Sequence, residues 1–251
     1  MKTLSVVIPA LNEEKGIGAV IAEIPFKQLK KMGYAVEVLV VDNGSTDRTG
    51  EIAREAGAKV IVQPIRGYGN AYKAGFANAT GDIIATGDAD LTYPFEILPD
   101  VIKTLEDQKL DFINTNRLAN LNPEAMTSSH VFGNWLLSMA TRALFHWPYA
   151  DSQSGMWIFK RDIWAHLDVR SPGMPFSQEL KIEAYAKGYN CAEIEIEYRP
   201  RAGKEKLNTI SDGIGNITHL MRKRLVLKKS SALTGERMQP AAPRRKTVKA
   251  V

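Results

Sequence analysis

The sequence predicts an α/β protein with a mostly parallel sheet covered by helices on both faces. Short apolar runs rich in β-branched residues alternate with helix-forming segments through the first half of the chain. These runs are almost continuously apolar, which is typical of strands buried on both faces. Acidic residues or glycines directly follow four of the runs, at the position where open α/β sheets bind ligands.

The composition is that of one large soluble domain. The chain has 251 residues, 44% hydrophobic and 24% charged, without the run of about 18 apolar residues that a membrane span requires. The N-terminus leads directly into a strand, so no signal peptide is expected. The single Cys191 excludes an internal disulfide and favours a reducing compartment. The four histidines lack metal-ligand spacing, which argues against a zinc site.

Positive charge is concentrated near the C-terminus. The formal net charge is +5, yet residues 222–251 carry ten Lys or Arg against the single acid Glu236, so the preceding body is acidic. This asymmetry favours an anionic partner surface, either membrane or nucleic acid; the alternative is a solvated, disordered tail. We expect one domain over residues 1–229 and a basic, disordered tail over residues 230–251.

Strands and helices alternate strictly as far as Arg117. The predicted strands are, in order, residues 4–9, 36–41, 59–62, 83–86 and 111–116. The predicted helices between them are residues 12–32, 47–56, 70–79 and 94–109. Asn12 and Thr46 are predicted as N-caps and Gly57 as a helix stop. We expect right-handed crossovers throughout.

The pattern changes after Arg117. Helices are predicted over residues 129–145, 178–187 and 211–229, and strands over residues 156–160 and 191–196. A loop rich in Arg and Lys spans residues 199–206. The sequence contains no internal repeat.

The polar residues at the strand ends are predicted to share one edge of the sheet. They are Pro9 to Glu13, Asp42, Arg66-Gly67, Asp88 and Asp90. Each also has a simpler explanation: a helix cap at Asn12, an Asx-turn at Asp42, or an ordinary glycine loop at residues 67–69. Together they favour a phosphate-bearing ligand.

The pair Asp88 and Asp90 supplies the hard oxygen ligands that suit Mg²⁺ or Mn²⁺. Dinucleotide-binding dehydrogenases are excluded because the first strand lacks a Gly-x-Gly-x-x-Gly turn, and Gly67-x-Gly69 has Tyr72 in place of the third glycine. The sequence also has no P-loop.

Four motifs carry a family resemblance: Val7 to Glu14, Val41 to Thr49, Arg66 to Ala71 and Gly87 to Asp90. They resemble family 2 glycosyltransferases of the GT-A fold, and within that family the dolichyl-phosphate mannose and glucose synthases. Supporting matches, within a resemblance over about residues 3–215, are Asn116-Arg117, Asp151 to Met156, Gln178-Glu179 and Arg201 to Leu207. The resemblance implies a GT-A-type, Rossmann-like mixed sheet with a parallel core, followed by a C-terminal helix and the basic tail.

The resemblance also implies roles for individual residues. Asp88 and Asp90 would ligate the metal on the diphosphate, and Asp42 would accept a hydrogen bond from the base. Thr92 stands where mannose synthases often carry Gln as a further metal ligand. The implied substrate-binding residues are Pro9, Leu11, Glu13, Asp42, Arg66, Asp88, Ala89, Gln178, Arg201 and Lys206.

The implied catalytic residues are Asp90, Arg117, Asp151 and Glu179. A divalent ion with Arg117, Arg201 and Lys206 would stabilise the departing diphosphate, although Arg201 and Lys206 could form only an exposed basic turn. A polyprenyl phosphate acceptor is ionised at pH 7 and needs no strong base. A sugar hydroxyl needs a general base, and Asp151 and Glu179 are the candidates. More simply, Asp151 could only form a turn, and Glu179 could only be an acid in the first turn of a helix.

Apolar residues recur at helical spacing between residues 129 and 147. They include Phe132, Trp135, Leu136, Met139 and Ala143. They predict either a core-facing stripe or an interfacial helix on lipid, assisted by the basic residues 222–229. A lipid acceptor favours the second, with the protein peripheral at the cytoplasmic face of a membrane.

Three functions are therefore considered. The first is inverting, metal-dependent transfer of a hexose from UDP-glucose, UDP-N-acetylglucosamine or GDP-mannose to dolichyl or polyprenyl phosphate. Among these donors the motifs slightly favour a UDP sugar. The second uses a glycan hydroxyl as acceptor. The third is a non-catalytic nucleic-acid-binding protein, which the absence of a recognisable nucleic-acid module disfavours.

Overall fold

The computed structural model describes residues 1–203, 209–234 and 248–249, with the backbone alone for 209–212, 228–234 and 248–249. Within these residues one sheet has the strand order β3-β2-β1-β4-β6-β5-β7-β8. Its strands are β1 (Lys2–Ala10), β2 (Tyr34–Asp42), β3 (Lys59–Val62), β4 (Ile83–Thr86), β5 (Phe112–Leu121), β6 (Trp157–Lys160), β7 (Cys191–Tyr198) and β8 (Val248–Lys249). β6 runs antiparallel to β4 and β5, whereas the other pairs are parallel.

Helices cover both faces of this sheet. They are α1 (Ile17–Ala22), α2 (Phe26–Lys31), α3 (Thr49–Glu55), α4 (Tyr68–Asn78), α5 (Leu98–Asp107), α6 (Ser128–Phe145), α7 (Arg161–Trp164), α8 (Phe176–Ala186) and α9 (Thr209–Thr234). A single 3₁₀ turn, Phe95–Ile97, precedes α5. The fold predicted from the sequence, a parallel-core mixed sheet between helical layers, is confirmed.

Two hydrophobic cores lie on opposite faces of the sheet. Val6 and Ile8 of β1 pack into one core with Leu105 of α5, while Val7 packs into the other with Phe76 of α4. Successive residues of β1 enter different cores because side chains alternate across a strand. This explains why the strand sequences are continuously apolar.

The predicted helix over residues 12–32 is wrong in detail. It is divided at Pro25, whose backbone has no N–H to donate to a continuing helix. Asn12 is not an N-cap: α1 begins five residues later, at Ile17, and Asn12 has a left-handed φ of 52°. Its side-chain oxygen instead accepts from Thr46 N at 2.8 Å, which joins two loops.

The predicted cap of α3 is also displaced. α3 begins at Thr49, so Arg48 rather than Thr46 occupies the N-cap position, and its side chain makes no cap. Asp47 Oδ1 accepts from Thr49 N at 3.0 Å just before the helix. Gly57 has a φ of +87° directly after this helix, as its predicted stop requires. α7 has no counterpart among the predicted elements. α9 continues to Thr234, past the expected boundary at residue 229.

Candidate active site

The loops after β1 and β2 meet at one edge of the sheet. Asn12 N donates to Ser45 Oγ at 3.0 Å, and Asn43 N donates to Ala10 O at 2.9 Å. Asp42 Oδ1 accepts from Ser45 N at 2.9 Å and so closes the turn that β2 leads into. The Asx-turn that was the simpler explanation for Asp42 is therefore present, and it fixes the carboxylate beside the first loop.

The loop after β3 joins the same edge. Gly67 N donates to Asn43 Oδ1 at 2.8 Å, and Arg66 Nη2 donates to Gly44 O at 3.1 Å. Gly44 has a φ of +88°, a left-handed conformation that a side chain would strain. Arg66 is thereby held over the turn that follows Asp42.

Asp90 is oriented by its own turn. Thr92 N and Thr92 Oγ1 donate to Asp90 Oδ1 at 3.1 and 2.6 Å, and Leu91 between them has a left-handed φ of 68°. A Cβ on Gly16 would lie 2.6 Å from Ala89 O, so this turn is packed closely against the residues that follow the first loop. Thr92 therefore orients Asp90 through its hydroxyl and its backbone N–H.

Arg201 reaches two acidic residues, Asp90 and Glu13, from the segment after β7. Its Nη2 lies 2.6 Å from Asp90 Oδ2 and 3.9 Å from Glu13 Oε1. Ala202 N donates to Asp90 O at 2.8 Å, and Arg199 N donates to Thr92 O at 3.1 Å. Backbone and side-chain contacts therefore hold the 199–203 segment against the turn.

The neighbouring Asp88 lies in an environment that disfavours its ionised form. Burial, and then the charge of Asp90, raise the pKa of Asp88 to about 7. Tyr68 and Tyr93 approach the same point, because a Cβ on Gly155 would contact both of their hydroxyl groups and Asp88 Oδ2. A buried carboxylate whose pKa is raised by the charge of a second carboxylate beside it marks a place where a cation would be favoured.

These residues fit a divalent ion that is shared with a ligand. The described residues contain no cluster of three or more His, Cys, Asp or Glu that could hold a metal ion unaided. Mg²⁺ usually needs only one or two carboxylates, since substrate phosphates and water complete its coordination. Asp88 and Asp90 supply that number, with oxygen donors of the appropriate kind.

Arg117 and Asp151 form a buried ion pair beside the acids. Arg117 Nε and Nη2 donate to the two carboxylate oxygens at 2.7 and 3.0 Å, and Arg117 N donates at 3.1 Å. Gln153 N donates to Asp151 Oδ1 at 2.9 Å, so each oxygen accepts two hydrogen bonds. Burial raises the pKa of Asp151, but the charge and hydrogen bonds of Arg117 outweigh it and lower the pKa below its usual range. This geometry suits a carboxylate that positions Arg117 better than a general base.

Glu179 is likewise engaged away from the acidic pair. Its Oε2 accepts from the backbone N–H groups of Arg170 and Ser171 at 3.1 and 2.8 Å, and its Oε1 lies 3.1 Å from Lys223 Nζ. Burial raises its pKa, but the His219 ring, the Ser171 N–H and the Lys223 charge together lower it well below its ordinary range. The geometry again favours positioning over proton transfer.

A pocket of about 460 Å³ extends from the ion pair to the surface between α6 and α9. Its inner end is lined by Thr92, Arg117 and Arg201, and its outer end by Leu136 of α6 and Ile217 of α9. Arg201 Nε is buried without a hydrogen-bond partner in the described part of the chain. Two guanidinium groups, each paired with a carboxylate, therefore line the buried end of the pocket, and apolar side chains line its exposed end.

Comparison with known proteins decides the family. The family model described as glycosyl transferase family 2 matches residues 5–167. A dolichyl-phosphate hexose transferase of Haloferax volcanii is 35% identical over 211 residues, which are 84% of this chain and 89% of the relative. The chain belongs to glycosyl transferase family 2.

Other relatives of this family 2 chain agree in fold. A low-salt glycan biosynthesis hexosyltransferase of Haloferax volcanii is 40% identical over 87% of this chain, which spans only 53% of that relative. A glucosyl-3-phosphoglycerate synthase of Mycobacterium tuberculosis, solved with Mn²⁺, UDP and phosphoglyceric acid, superposes with a TM-score of 0.68. The two are 24% identical, and the match covers 89% of this chain and 78% of that one.

The predicted site residues of this family 2 protein fall into three groups. The loops that carry Pro9 to Glu13, Asp42, Arg66, and Asp88 to Asp90 meet at one edge, and Arg117 and Arg201 reach its pocket. Asp151, Gln178 and Glu179 are buried behind that pocket. Lys206 lies outside the described residues. These contacts give the geometry, and the roles of the residues remain predictions.

Sequence reasoning missed several residues of the site. Tyr198 lies under the Arg117 guanidinium at 5.3 Å, and Gln153 links the pocket to Gln178 through Nε2–Oε1 at 3.2 Å. Lys223 of α9 is buried, although the sequence places it in a basic run that suggests an exposed helix end. Only the tertiary fold brings these residues together, and no local motif marks them.

Proposed function

We propose that the protein transfers one hexose from a nucleotide sugar to a polyprenyl phosphate such as dolichyl phosphate, with inversion at the anomeric carbon. The observation that carries this proposal is the two-ended pocket, whose inner guanidinium groups can donate to a phosphate and whose apolar outer end suits an isoprenoid chain. The unpartnered Arg201 Nε provides a donor for an anionic oxygen at the inner end.

The donor is assigned to the edge formed by the first three loops. Pro9, Leu11, Glu13 and Asp42 would surround the nucleoside, and Arg66 would stand over it. Mg²⁺ or Mn²⁺ on Asp88 and Asp90 would neutralise the charge that develops on the departing diphosphate. A structural neighbour solved with Mn²⁺ and UDP supports this arrangement.

The proton requirement favours a phosphate acceptor over a sugar hydroxyl. The polyprenyl phosphate oxygen is already ionised near pH 7 and can attack the anomeric carbon directly while the bond from that carbon to the diphosphate breaks. A hydroxyl acceptor would need a general base. The two candidate bases, Asp151 and Glu179, are both occupied by ion pairs and backbone N–H groups.

The surface around the pocket mouth supports attachment to a membrane. Of the helices that the structure describes, none is long and apolar enough to cross one. Phe132, Trp135 and Met139 of α6, and Met221 and Leu225 of α9, are nevertheless exposed. The core-facing role that was the simpler prediction for the α6 stripe is therefore wrong, because its apolar residues face outward.

Exposed apolar residues at helical spacing are typical of helices that lie in a lipid interface. The basic residues 222–229 of α9, apart from the buried Lys223, would favour the anionic cytoplasmic leaflet. We therefore infer that the protein is peripheral at that face, with the pocket mouth turned toward the lipid. No nucleic-acid partner is proposed.

A donor panel tests the proposed reaction. UDP-glucose, UDP-N-acetylglucosamine and GDP-mannose are each incubated with Mg²⁺ or Mn²⁺ and a polyprenyl phosphate, and the organic phase is analysed by mass. We expect one donor to add a single hexose to the lipid. Transfer by Asp90→Asn should fall by at least about 100-fold, whereas the exposed Asp100→Asn should match wild type. A product confined to glycan hydroxyls, or full activity of Asp90→Asn, would contradict the proposal.

A further inference from the structure

The contact between α8 and α9 contains a buried cluster of charges. Lys223 of α9 is only 5% exposed, and its Nζ lies 3.1 Å from Glu179 Oε1 and 2.7 Å from Glu183 Oε1 of α8. The same ammonium donates to Asp168 O at 2.8 Å. A buried ammonium with three acceptors has its hydrogen-bonding capacity filled. One ammonium of α9 therefore pairs with two buried carboxylates of α8, while His219 Nε2 lies 3.6 Å from Glu179 and Lys187 Nζ lies 3.7 Å from Glu183.

The same carboxylates hold the segment that precedes α8. Glu179 Oε2 accepts from Arg170 N and Ser171 N, and Glu183 Oε2 accepts from Asp168 N at 3.0 Å. We call residues 168–172 the bridging segment. Because two carboxylates and Lys223 all contact its backbone, the conformation of the bridging segment depends on this charge cluster.

The bridging segment in turn supports the end of the loop after β3 and the first turns of α4. Asn70 N donates to Pro172 O at 3.0 Å, and Lys73 Nζ donates to Arg170 O at 3.2 Å. A Cβ on Gly67 would lie 2.4 Å from Pro172 O, and one on Gly69 would lie 2.2 Å from Ser171 O. The two backbones touch so closely that a shift of one must move the other.

We propose that Lys223 is a positioning residue that connects α9 to the nucleotide end of the cleft. The connection runs from Lys223 to Glu179, then through the bridging segment to the loop that carries Arg66. This inference rests on the proposed function, since it assigns that loop to the donor nucleotide.

Loss of the ammonium would disturb the connection for an electrostatic reason. Glu179 and Glu183 would remain buried as neighbouring like charges, and removing one partner of a buried ion cluster leaves the remaining charge uncompensated. The carboxylates would separate or take up a proton, and either change weakens their hold on the backbone of residues 168–171. Arg66, Gly67 and the first turn of α4 would then lose their support.

The connection gives α9 a second role. Its exposed apolar residues belong to the surface proposed to contact lipid, and its buried face reaches the nucleotide end. Reciprocity requires that, if lipid binding tightens nucleotide binding, the nucleotide tightens lipid binding by the same factor. Lys223 is the residue that would transmit this coupling.

The first test measures nucleotide affinity by calorimetry, with UDP and with GDP in the presence of Mn²⁺. Lys223→Met should weaken the nucleotide that wild type binds by about 3- to 10-fold, and Glu179→Gln should do the same. The double variant should be no weaker than either single one, because both act on one connection. Lys223→Gln, which keeps a donor but no charge, replaces the Met variant if that does not fold.

Two control variants separate positioning from general destabilisation. Lys103→Gln removes an exposed charge from α5, which is part neither of the connection nor of the proposed lipid surface. Leu105→Ala opens a cavity in the core on the opposite face of the sheet and lowers the melting temperature without touching the connection. Both should bind the nucleotide within about twofold of wild type, since sites without shared contacts act independently. Equal weakening in Leu105→Ala and Lys223→Met, or wild-type affinity in Lys223→Met, would overturn the inference.

Amide hydrogen exchange tests the connection without any ligand. In Lys223→Met the amides of Arg170, Ser171 and Asn70 should exchange faster than in wild type. In the same variant the amides of β1 should exchange no faster than they do in Leu105→Ala. If wild type binds neither UDP nor GDP but these amides respond, the proposed function fails and the connection stands. If the nucleotide binds and the amides do not respond, the connection fails alone.

Discussion

At the scale of single residues, the site depends on how its buried charges are paired. Arg117 and Asp151 are both almost fully buried and exchange two side-chain hydrogen bonds. Removing both charges from water is costly, and only good geometry offsets that cost. The pair therefore serves to present a fixed guanidinium to the pocket more than to stabilise the fold.

Breaking this pair should be much more harmful than breaking an exposed one. Asp151→Asn leaves the Arg117 charge buried without its counter-ion and should lower the free energy of unfolding by roughly 3–5 kcal/mol. Urea denaturation at pH 7 measures the change. Glu51→Gln, which breaks the exposed pair with Arg48, serves as the matched control and should change stability little. Equal losses in the two variants would contradict the assigned burial.

Sequence reasoning located residues that belong to local motifs and missed those that depend on distant partners. Asp42, Asp88 and Asp90 follow strands directly, so their meeting at one sheet edge follows from parallel topology. The functions suggested for Asp151 and Glu179 rested on motif position, which cannot reveal that Arg117 and Lys223 occupy their oxygens. Pairing across 34 and 44 residues appears only in the fold.

At the scale of elements, α6 and α9 each bury some apolar residues against one another and expose others. α6 buries Leu137, Thr141 and Phe145 and exposes Phe132 and Trp135, which stack at 5.9 Å between ring centroids. The periodicity of α6 was predicted, but not which stripe faces outward, because both faces of the helix carry apolar residues. Packing against α9 decides the matter, since Leu220 of α9 joins Leu137 and Phe145 in a small core.

Replacement of the exposed tryptophan should weaken membrane binding. Trp135 is 51% exposed, so Trp135→Ser removes a large apolar surface that is open to lipid. Binding to vesicles of phosphatidylcholine and phosphatidylglycerol, measured by sedimentation, should fall about 10-fold, the amount expected when one large apolar side chain no longer enters lipid.

Phe26→Ser supplies the matched control for this measurement. Phe26 is also an exposed aromatic residue, but it lies on α2 rather than on the proposed lipid-facing surface. We expect its vesicle binding to equal that of wild type. Equal losses in the two variants would show that α6 is not the contacting element.

At the scale of the whole molecule, acid should weaken the packing of α9 on α8. The pKa of Glu179 is below its ordinary value of 4.5, so the unfolded chain binds the proton more readily than the folded chain. The free energy of unfolding should therefore fall as the pH drops below about 5. Asp151, whose pKa is also lowered, adds to the loss in the same range.

Glu179→Gln isolates one contribution to this acid sensitivity. At pH 7 the variant should be less stable than wild type by roughly 2 kcal/mol, the value of hydrogen bonds to a charged group. The difference should shrink as the pH falls from 6 to 3.5, which urea denaturation at several pH values can measure. Glu55→Gln, at an exposed position of α3, should follow the wild-type curve. A constant offset between Glu179→Gln and wild type would contradict the assignment.

The architecture was largely predictable, and the exceptions have identifiable causes. Continuous apolar runs with acidic ends predict the strands β1 to β4 and their shared edge. The division at Pro25 was missed because apolar periodicity continues across it, and α7 is too short to give a periodic signal. The burial of Lys223 was not predictable, because a basic run at a helix end ordinarily faces water.

The route of the chain through the sheet separates the two halves of the reaction. Residues 5–167 match the shared family model and include the acidic pair, the nucleotide edge and α6. The segment with Arg201, and α9 with Ile217, come after that region and complete the pocket. If the protein acts as proposed, one wall of the acceptor pocket comes from this late portion of the polypeptide and the other from α6. Substitutions after residue 167 would then alter the acceptor while leaving the acidic pair unchanged.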